Sequence, residues 1–560
     1  MAITAQEFAD VYNAVDLYPT LADVATALGI SRKTVKNRAG IMRRTVGAPT
    51  LASRATLGSP SAAPAQFMNQ ELPEPTYHQN PAMGVKRFIL TAAQDSTNIH
   101  AGFWRNLKAY ADWLDAKIMV AGFTYSKAHH GNAQRKFGSK GKENEIYRTW
   151  HPEVTPYLVN NRVELGDMIR FCGEMNTLPT AVSPLSGFET YTGKKWGIFP
   201  HTKVQLKSVA TAKNELSKQI MTTGAVTLPN YVMKKEGIKA SFHHMIGAVL
   251  VELCADGAFF CRHLLADEDG SFYDLDIFVQ NGKLTDRHRA EALVYGDIHH
   301  EKLDPDVALA TWGYDVEERA KVISGRSQTL ADRLLPRHQF FHDLADFSAR
   351  NHHSINDPHF LFRTHQNEQS NVEEALTGCA EFLEETRLED SLSVVVRSNH
   401  NDALTTWLKN AAYDYRKDPE NAIFYLETQL RYYKWLAGEA SDPPIFEIVL
   451  KERADIDDVL FLGEDESFLI CGNIECGNHG DRGANGARGS VRQFTKAGPR
   501  SNTAHTHSPE IIDGAYCAGV SGKLDMGYNR GMSSWAQAHI VTYTNGKRAI
   551  LTYMGGRFHA

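Results

Sequence analysis

The chain has 560 residues, 42% hydrophobic and 22% charged, with seven scattered cysteines and a formal net charge of −6. It is too long for one ordinary core, so two or three domains are expected, and its charge excludes nucleic-acid binding through a global cationic excess while leaving a local basic patch open. No apolar run approaches the roughly 18–20 residues of a membrane span, the N-terminus carries acids and no positive n-region, and the odd, dispersed cysteines argue for reduced thiols in a cytoplasm.

Residues 5–44 divide into helical patterns separated by turn signals. Phe8, Val11 and Tyr12 share one apolar face, Thr20 can cap a second helix that stops at Gly29, and Ser31 can cap a third, SRKTVKNRAGIMRR. The run A-x(3)-G-I-S-x-x-T-V resembles the helix-turn-helix of DNA-binding regulators. That resemblance implies a module over 1–46 in which Arg32, Lys33, Lys36, Asn37 and Arg38 lie on or near a recognition helix against DNA. The alternative is a small three-helix protein-interaction module with a solvated basic face. Residues 47–82 lose periodicity and fill with Ala, Ser, Thr and Pro, the composition of a flexible linker.

A strand VKRFIL, a helix FWRNLKAYADWL and a strand KIMVAGF then give a βαβ rhythm, and residues 83–288 are read as an α/β accessory domain. Asp95 and His100 follow its first strand, but their spacing is wrong for a shared chelate. KAHHGNAQRKFGSKGK, residues 127–142, carries five positive residues and no acid; it reads as a solvated loop or as one that grips a phosphate backbone. MIGAVLVELC, residues 245–254, is a buried strand or helix that periodicity cannot decide. The mixed region from 178 to 286 resembles the corresponding part of phage-encoded proteins that destroy host DNA early in infection.

At ALVYGDIHHEKLD, residues 292–304, an apolar strand breaks at Gly296 and delivers Asp297 and His299 from the loop at its end, where α/β folds build their sites. Three later segments share that layout. Gln339–Phe341 lead to Asp343, Leu392–Val396 lead to Asn399 and His400, and Phe468–Cys471 precede His479. The pair His505-x-His507 follows. Helices are expected over 304–323, 368–388, 403–417 and 420–438. The C-terminal third reads as strands closing on a hairpin, AHIVTYTNGKRAILTYM, whose Asn545-Gly546 is a turn signal.

The order Asp-x-His, Asp, Asn-His, His, His-x-His resembles the calcineurin-like metallophosphoesterases, and within them the manganese-dependent nucleases of double-strand-break repair. The resemblance covers roughly 291–560. It implies a two-sheet β-sandwich flanked by helices over 289–560 and two divalent cations, Mn²⁺ first, with Mg²⁺, Fe²⁺ or Zn²⁺ as alternatives. One cation would be held by Asp297, His299, Asp343 and His507. The other would be held by Asp343, Asn399, His479 and His505, with Asp343 bridging and His400 as the acid that protonates the leaving oxygen. The chain departs from the pattern at Ser398 and Ala504, where glycine is usual. It departs again after Asn-His, where the acid is displaced by Asn401 to Asp402. That displacement leaves open what orients His400.

Mixed imidazole and carboxylate ligands suit first-row cations, and two of them together can activate water and stabilise a departing alkoxide. Between His479 and His505 lies a glycine-rich stretch with Arg482, Arg488, Arg492, Lys496 and Arg500 against one acid, Asp481. A basic loop flanked by ligands suits a long polyanion, and with the N-terminal module it points to a metal-dependent DNA nuclease. Such a protein would be a cytoplasmic homo-oligomer, in the host cytoplasm if phage-encoded. A small-molecule phosphodiesterase or phosphomonoesterase would use the same metals without a DNA-binding module. A DNA-binding regulator would keep the metal fold only as scaffold.

Overall fold

A computed structural model describes residues 4–38, 84–125 and 150–560, apart from 15–16, 19, 36, 214, 326–327, 352–354, 356, 411–412 and 440–443. Lys36, the expected linker and the basic segment 127–142 therefore lie outside the described residues. The chain divides into two compact units, the first holding the N-terminal helices and the second everything from residue 84 onward that is described.

In the first unit the capping residues act as the sequence implies. Thr4 and Thr20 each accept from the amide of the third helical residue at 3.2 Å, and the carboxylates of Glu7 and Asp23 return to the threonine amides at 2.8 Å. These capping boxes start the helices Ala5–Asn13 and Leu21–Leu28. Gly29, at φ 60°, ends the second one, and Ser31 Oγ accepts from the Thr34 amide at 3.2 Å to begin a third helical stretch. Phe8, Tyr12, Val24, Ala25 and Val35 close a small core. Arg32, Lys33 and Asn37 are exposed. Arg38 is half-buried, with its guanidinium 5.9 Å from the Phe8 ring centre.

The second unit is mixed α/β. The strand Lys86–Gln94 pairs in parallel with Ala116–Phe123 across the helix Ala101–Leu114, as the βαβ rhythm predicts. His100 caps that helix by accepting from the Phe103 amide at 3.1 Å. The undecided run 245–254 contains a strand, Gly247–Leu253, buried along its whole length between Lys86–Gln94 and Phe259–Leu265.

Six strands form the sheet that carries the Asp-x-His stretch. Its order is Leu460–Phe461, Leu392–Val395, His338–Phe341, Ala292–Val294, Ala538–Thr542, Arg548–Thr552. The first four are parallel, Ala538–Thr542 runs antiparallel to them, and Arg548–Thr552 pairs antiparallel with Ala538–Thr542. Both faces are buried, which is why these strands read as unbroken apolar runs. Ala292, Val294, Phe340 and Val394 point into a core shared with a ten-stranded sheet. Leu293, Tyr295, Phe341 and Val395 point into a second core lined by helices.

The ten-stranded sheet overturns the boundary drawn at 288. It runs from Leu469–Ile470 through Arg500–Thr503 and Glu510–Ile512 directly onto Leu206–Val209, ending at Arg162–Leu165. Residues 162–222 thus share a sheet and a core with the C-terminal strands, because Glu510 and Ile511 pair antiparallel with Lys207 and Leu206. Two helical expectations are also corrected. The helix begun by Pro305 ends at Trp312, and the chain turns into a short hairpin, Tyr314–Asp315 with Ala320–Lys321. Gly313 is the reason: it sits at φ +74°, and a Cβ there would lie 1.8 Å from the Ile323 carbonyl oxygen. Of 403–417, only Ala403–Leu408 is assigned to a helix among the described residues. The C-terminal hairpin forms as expected. Tyr543 and Lys547 pair at 2.9 Å around a three-residue loop, with Gly546 at φ +73°. All seven cysteines are unpaired and six are buried.

Candidate metal centre

Three adjacent parallel strands end on the same edge of the six-stranded sheet, and the loops after them carry the acidic half of the site. Asp297 and His299 follow Ala292–Val294, Asp343 follows His338–Phe341, and His400 follows Leu392–Val395. The first two loops stay paired past the strands, with the amides of Ile298, His299 and His300 donating to the carbonyls of His342, Asp343 and Leu344 at 2.7–3.0 Å. Gly296 lets the first loop lie against the backbone of Gly519 and Val520, since a Cβ would lie 2.7 Å from Val520 N. The imidazole half comes from the ten-stranded sheet. His479 follows Ile474–Glu475, and His505 and His507 follow Arg500–Thr503. Ala504 and Ser398, which stand where glycine is usual, are both buried.

Three groups result among the described residues. Donor atoms of Asp297, His299, Asp343 and His507 lie within 4.8 Å of one another, as do those of Asp343, His479 and His505 and those of His299, Asp346 and His400. Asp343 belongs to the first two, and His299 to the first and third. Asp297 Oδ2 is 3.1 Å from His507 Nε2, Asp343 Oδ2 is 3.2 Å from His479 Nε2, and the Nε2 atoms of His299 and His507 are 3.0 Å apart. Asn399 is exposed at the neighbouring turn, one residue from His400, whose amide donates to Asp343 Oδ1 at 3.2 Å.

The backbone is strained where the ligands are. His299, Asp343, His505 and His507 have φ of 45°, 41°, 72° and 55°, a region that non-glycine residues rarely adopt and that costs on the order of 1–3 kcal/mol each. Such residues persist where surrounding contacts over-determine them, and the paired loops supply those contacts here.

Electrostatics separates the members. Burial would raise Asp297, but the His479 charge and the His507 contact outweigh it and bring its pKa to about 2. Asp343 is held well below the ordinary carboxylate range, with burial opposed by His479 and His400. Burial lowers His299 and His479, yet Asp346 beside the first and Asp343 and Asp297 beside the second raise both to about 9. Burial lowers His505 and His507.

Asp297 Oδ1 and His507 Nδ1 are buried without a hydrogen-bond partner, and Asp297 Oδ2, His299 Nδ1 and His479 Nε2 are buried with only the charged neighbours at 3.0–3.2 Å. Buried polar atoms normally find partners because leaving them unmade is costly. Here carboxylate oxygens and imidazole nitrogens converge instead, a donor set that fits divalent first-row cations.

Asp346 was missed from the sequence, although it stands in the same FFHDLADF run as Asp343. It answers what orients His400: the imidazole Nδ1–H donates to the Asp346 carbonyl oxygen at 2.9 Å, leaving Nε2 for proton exchange. The Asp346 carboxylate lies 3.0 Å from His299 Nδ1 and also accepts from the Ser348 hydroxyl. Asp402, the displaced acid, pairs with Arg397 at 2.7 Å. Asn401 Oδ1 accepts from the Ala345 amide at 3.2 Å.

The chain is 38% identical over 482 residues to Protein A1 of Escherichia phage T5, covering 85% of this chain and 83% of that one. It belongs to the Protein A1 family. No protein-family profile and no solved structure matches it. The name Protein A1 states no activity, so the chemistry of this member has to come from its own residues.

The basic stretch after His479 is built rather than open. Gly489 N donates to the Asp481 carbonyl and Gly483 N to that of Ala487, and Val491–Phe494 forms a helical turn. Arg482 is engaged with Glu464 at 2.6 Å. Arg488 and Arg492 are exposed, and neither is within ion-pair distance of a carboxylate among the described residues. No helix among the described residues is long and apolar enough to cross a membrane.

Proposed function

We propose that this member of the Protein A1 family is a metal-dependent DNA nuclease with a calcineurin-like metallophosphoesterase centre, acting in the cytoplasm of a phage-infected bacterium. The observation that carries the reading is the pair of buried ligand groups sharing Asp343. Asp297, His299, Asp343 and His507 would hold one divalent cation. Asp343, His479 and His505 would hold the second, with Asn399 completing it from the neighbouring turn. When bound, such a pair supplies Lewis acidity at phosphoryl oxygens and makes water nucleophilic near neutral pH.

The residues of the chain do the rest. His400, its Nδ1–H fixed on the Asp346 carbonyl, presents Nε2 to give a proton to the departing oxygen. Arg488 and Arg492, unpaired and exposed on a segment that begins and ends at ligands, attract the phosphates of a long polyanion. The exposed Arg32 and Lys33 of the N-terminal module supply further DNA contact. A small-molecule phosphodiesterase would need neither. Purified protein should degrade linear DNA with Mn²⁺ or Mg²⁺ and stop with EDTA, and circular DNA beside it reports whether an end is needed. Cleavage insensitive to EDTA, or none with any divalent cation, would overturn the reading.

A further inference from the structure

Beyond the ligand cluster, a cavity of about 460 Å³ opens between the end of the strand Leu392–Val395 and the helices Ala403–Leu408, Ala422–Leu436 and Ile445–Lys451. That volume lies in the range of about 300–1,000 Å³ typical of small-molecule sites. Its walls are aromatic and aliphatic: Tyr432 and Trp435 stand 5.6 Å apart on one side, with Ile445 and Phe461 among the others. Thr405 and Thr406 add hydroxyls, and Lys409 Nζ lies 5.8 Å from the Tyr432 ring centre. A second, narrower cleft shares Arg397, Asp402, Gly463 and Arg482 with this cavity and continues to His479. The cavity and the cleft at His479 therefore meet at the same four residues.

The charges at the junction indicate what enters. Arg397 pairs with Asp402 at 2.7 Å and Glu464 at 3.1 Å, and Arg482 pairs with Glu464 at 2.6 Å. With these two cations matched by carboxylates and Lys409 set beside the Tyr432 ring, the cavity is mainly an apolar one rather than a phosphate site. It suits a flat group with apolar faces and a polar edge, attached to a phosphate that stays at the ligand cluster. A nucleobase has that chemistry, and base–aromatic stacking tolerates any base. A base paired within a duplex cannot enter a side pocket without leaving the stack.

We propose that this cavity receives an unstacked nucleoside adjoining the scissile phosphate, so that the protein cuts single-stranded DNA and frayed ends in preference to continuous duplex. The inference rests on the nuclease reading above. In the full-length protein with Mn²⁺, Trp435→Ala should raise KM for a single-stranded oligonucleotide about tenfold. It should also shrink the preference for single strand over blunt duplex, and Trp435→Phe should restore most of it. Thr406→Trp, at an exposed wall position, should fill the cavity with the same result and keep the wild-type melting temperature. Calorimetry in EDTA supplies an arm independent of cleavage: deoxyadenosine monophosphate should bind wild type and fail to bind Thr406→Trp. An unchanged KM and strand preference in both Trp435→Ala and Thr406→Trp would overturn the pocket while leaving the nuclease reading intact. Equal nucleotide binding by wild type and Thr406→Trp would do the same. If wild type cuts no DNA with any cation, the nuclease reading falls, and the calorimetric difference alone upholds or overturns the pocket.

Discussion

Two clusters of buried charge lie in the second unit, and they are built in opposite ways. Around Arg262, the guanidinium meets Asp274 through Nε and NH2 at 2.5 and 2.7 Å and Glu252 through NH1 at 2.5 Å. Tyr110 donates to Asp274 at 2.5 Å, and Arg87 reaches Glu252 at 2.9 Å. The positive charge that balances these carboxylates is part of the chain, and the residues sit on regular strands and, for Tyr110, a helix. Around Asp343 no arginine pairs with a carboxylate of the ligand groups among the described residues. The neighbours are imidazoles, several polar atoms have no hydrogen-bond partner, and four residues have left-handed backbones. A cluster that closes its own charge balance holds the fold together; one that leaves donors converging on a point is suited to hold something else.

The sharpest way to break that comparison is to remove one carboxylate from the second cluster and the cation from the first. Asp343→Asn should reduce cleavage to background, because both ligand groups lose their shared oxygen, while the cation-free fold loses only the Asp343 share of the His479 and His400 interactions and still melts cooperatively. Arg262→Met should do the reverse, destabilising the fold by about 3–5 kcal/mol, since Glu252 and Asp274 are then buried without a partner. Thermal melts in EDTA beside nuclease rates check both. A marked loss of cation-free stability in Asp343→Asn would make its cluster structural as well.

Smaller effects sharpen the division inside the site. His400→Ala should lower the cleavage rate by about 10²–10⁴ while leaving metal content unchanged, the range for a general acid. Metal loss would instead make His400 a ligand. A substrate with a nitrophenolate leaving group should be affected far less. Asp346→Asn should cost about 10–100-fold, as for groups that orient ligands, and should weaken metal affinity through His299 more than it alters the leaving-group dependence.

The pH dependence is the mildest signature. His299 and His479, raised to about 9 from an ordinary value of 6.5, bind protons more tightly folded than unfolded. Their contribution to the cation-free fold is complete below pH 6.5 and is lost as pH rises through about 9. Cation binding has the opposite slope, because those protons must leave. Between pH 6.5 and 9 the melting temperature in EDTA should fall, while the gain on adding Mn²⁺ should grow. Parallel slopes would contradict the account.

Much of the site was legible in the sequence because Asp297, His299, Asp343 and Asn399 each follow a short apolar run, and a buried parallel strand needs such a run on both faces. The D-x-H spacing, the order of the later histidines and the break at Gly296 all belong to local chain geometry. What local geometry cannot show is which distant strands pair. The joining of Lys207 to Glu510 brings residues 162–222 into the sheet of the C-terminal strands across some 300 residues, and no periodicity reports it. Asp346 was hidden for a different reason. Its part in orienting His400 uses its backbone carbonyl, an atom every residue carries. Trp435 and Tyr432 read as one more amphipathic helix, since the cavity they wall exists only once the helix Ile445–Lys451 is packed beside them.

The Asp343 cluster is proposed to hold a pair of divalent cations. The direct measurement is the metal content of the purified chain, by elemental analysis after loading with Mn²⁺ and removal of the excess, on wild type and Asp343→Asn together. The account predicts about two ions per wild-type chain, as in two-metal sites, and clear depletion in the variant. Equal metal content in the two proteins, or none in either, would contradict it.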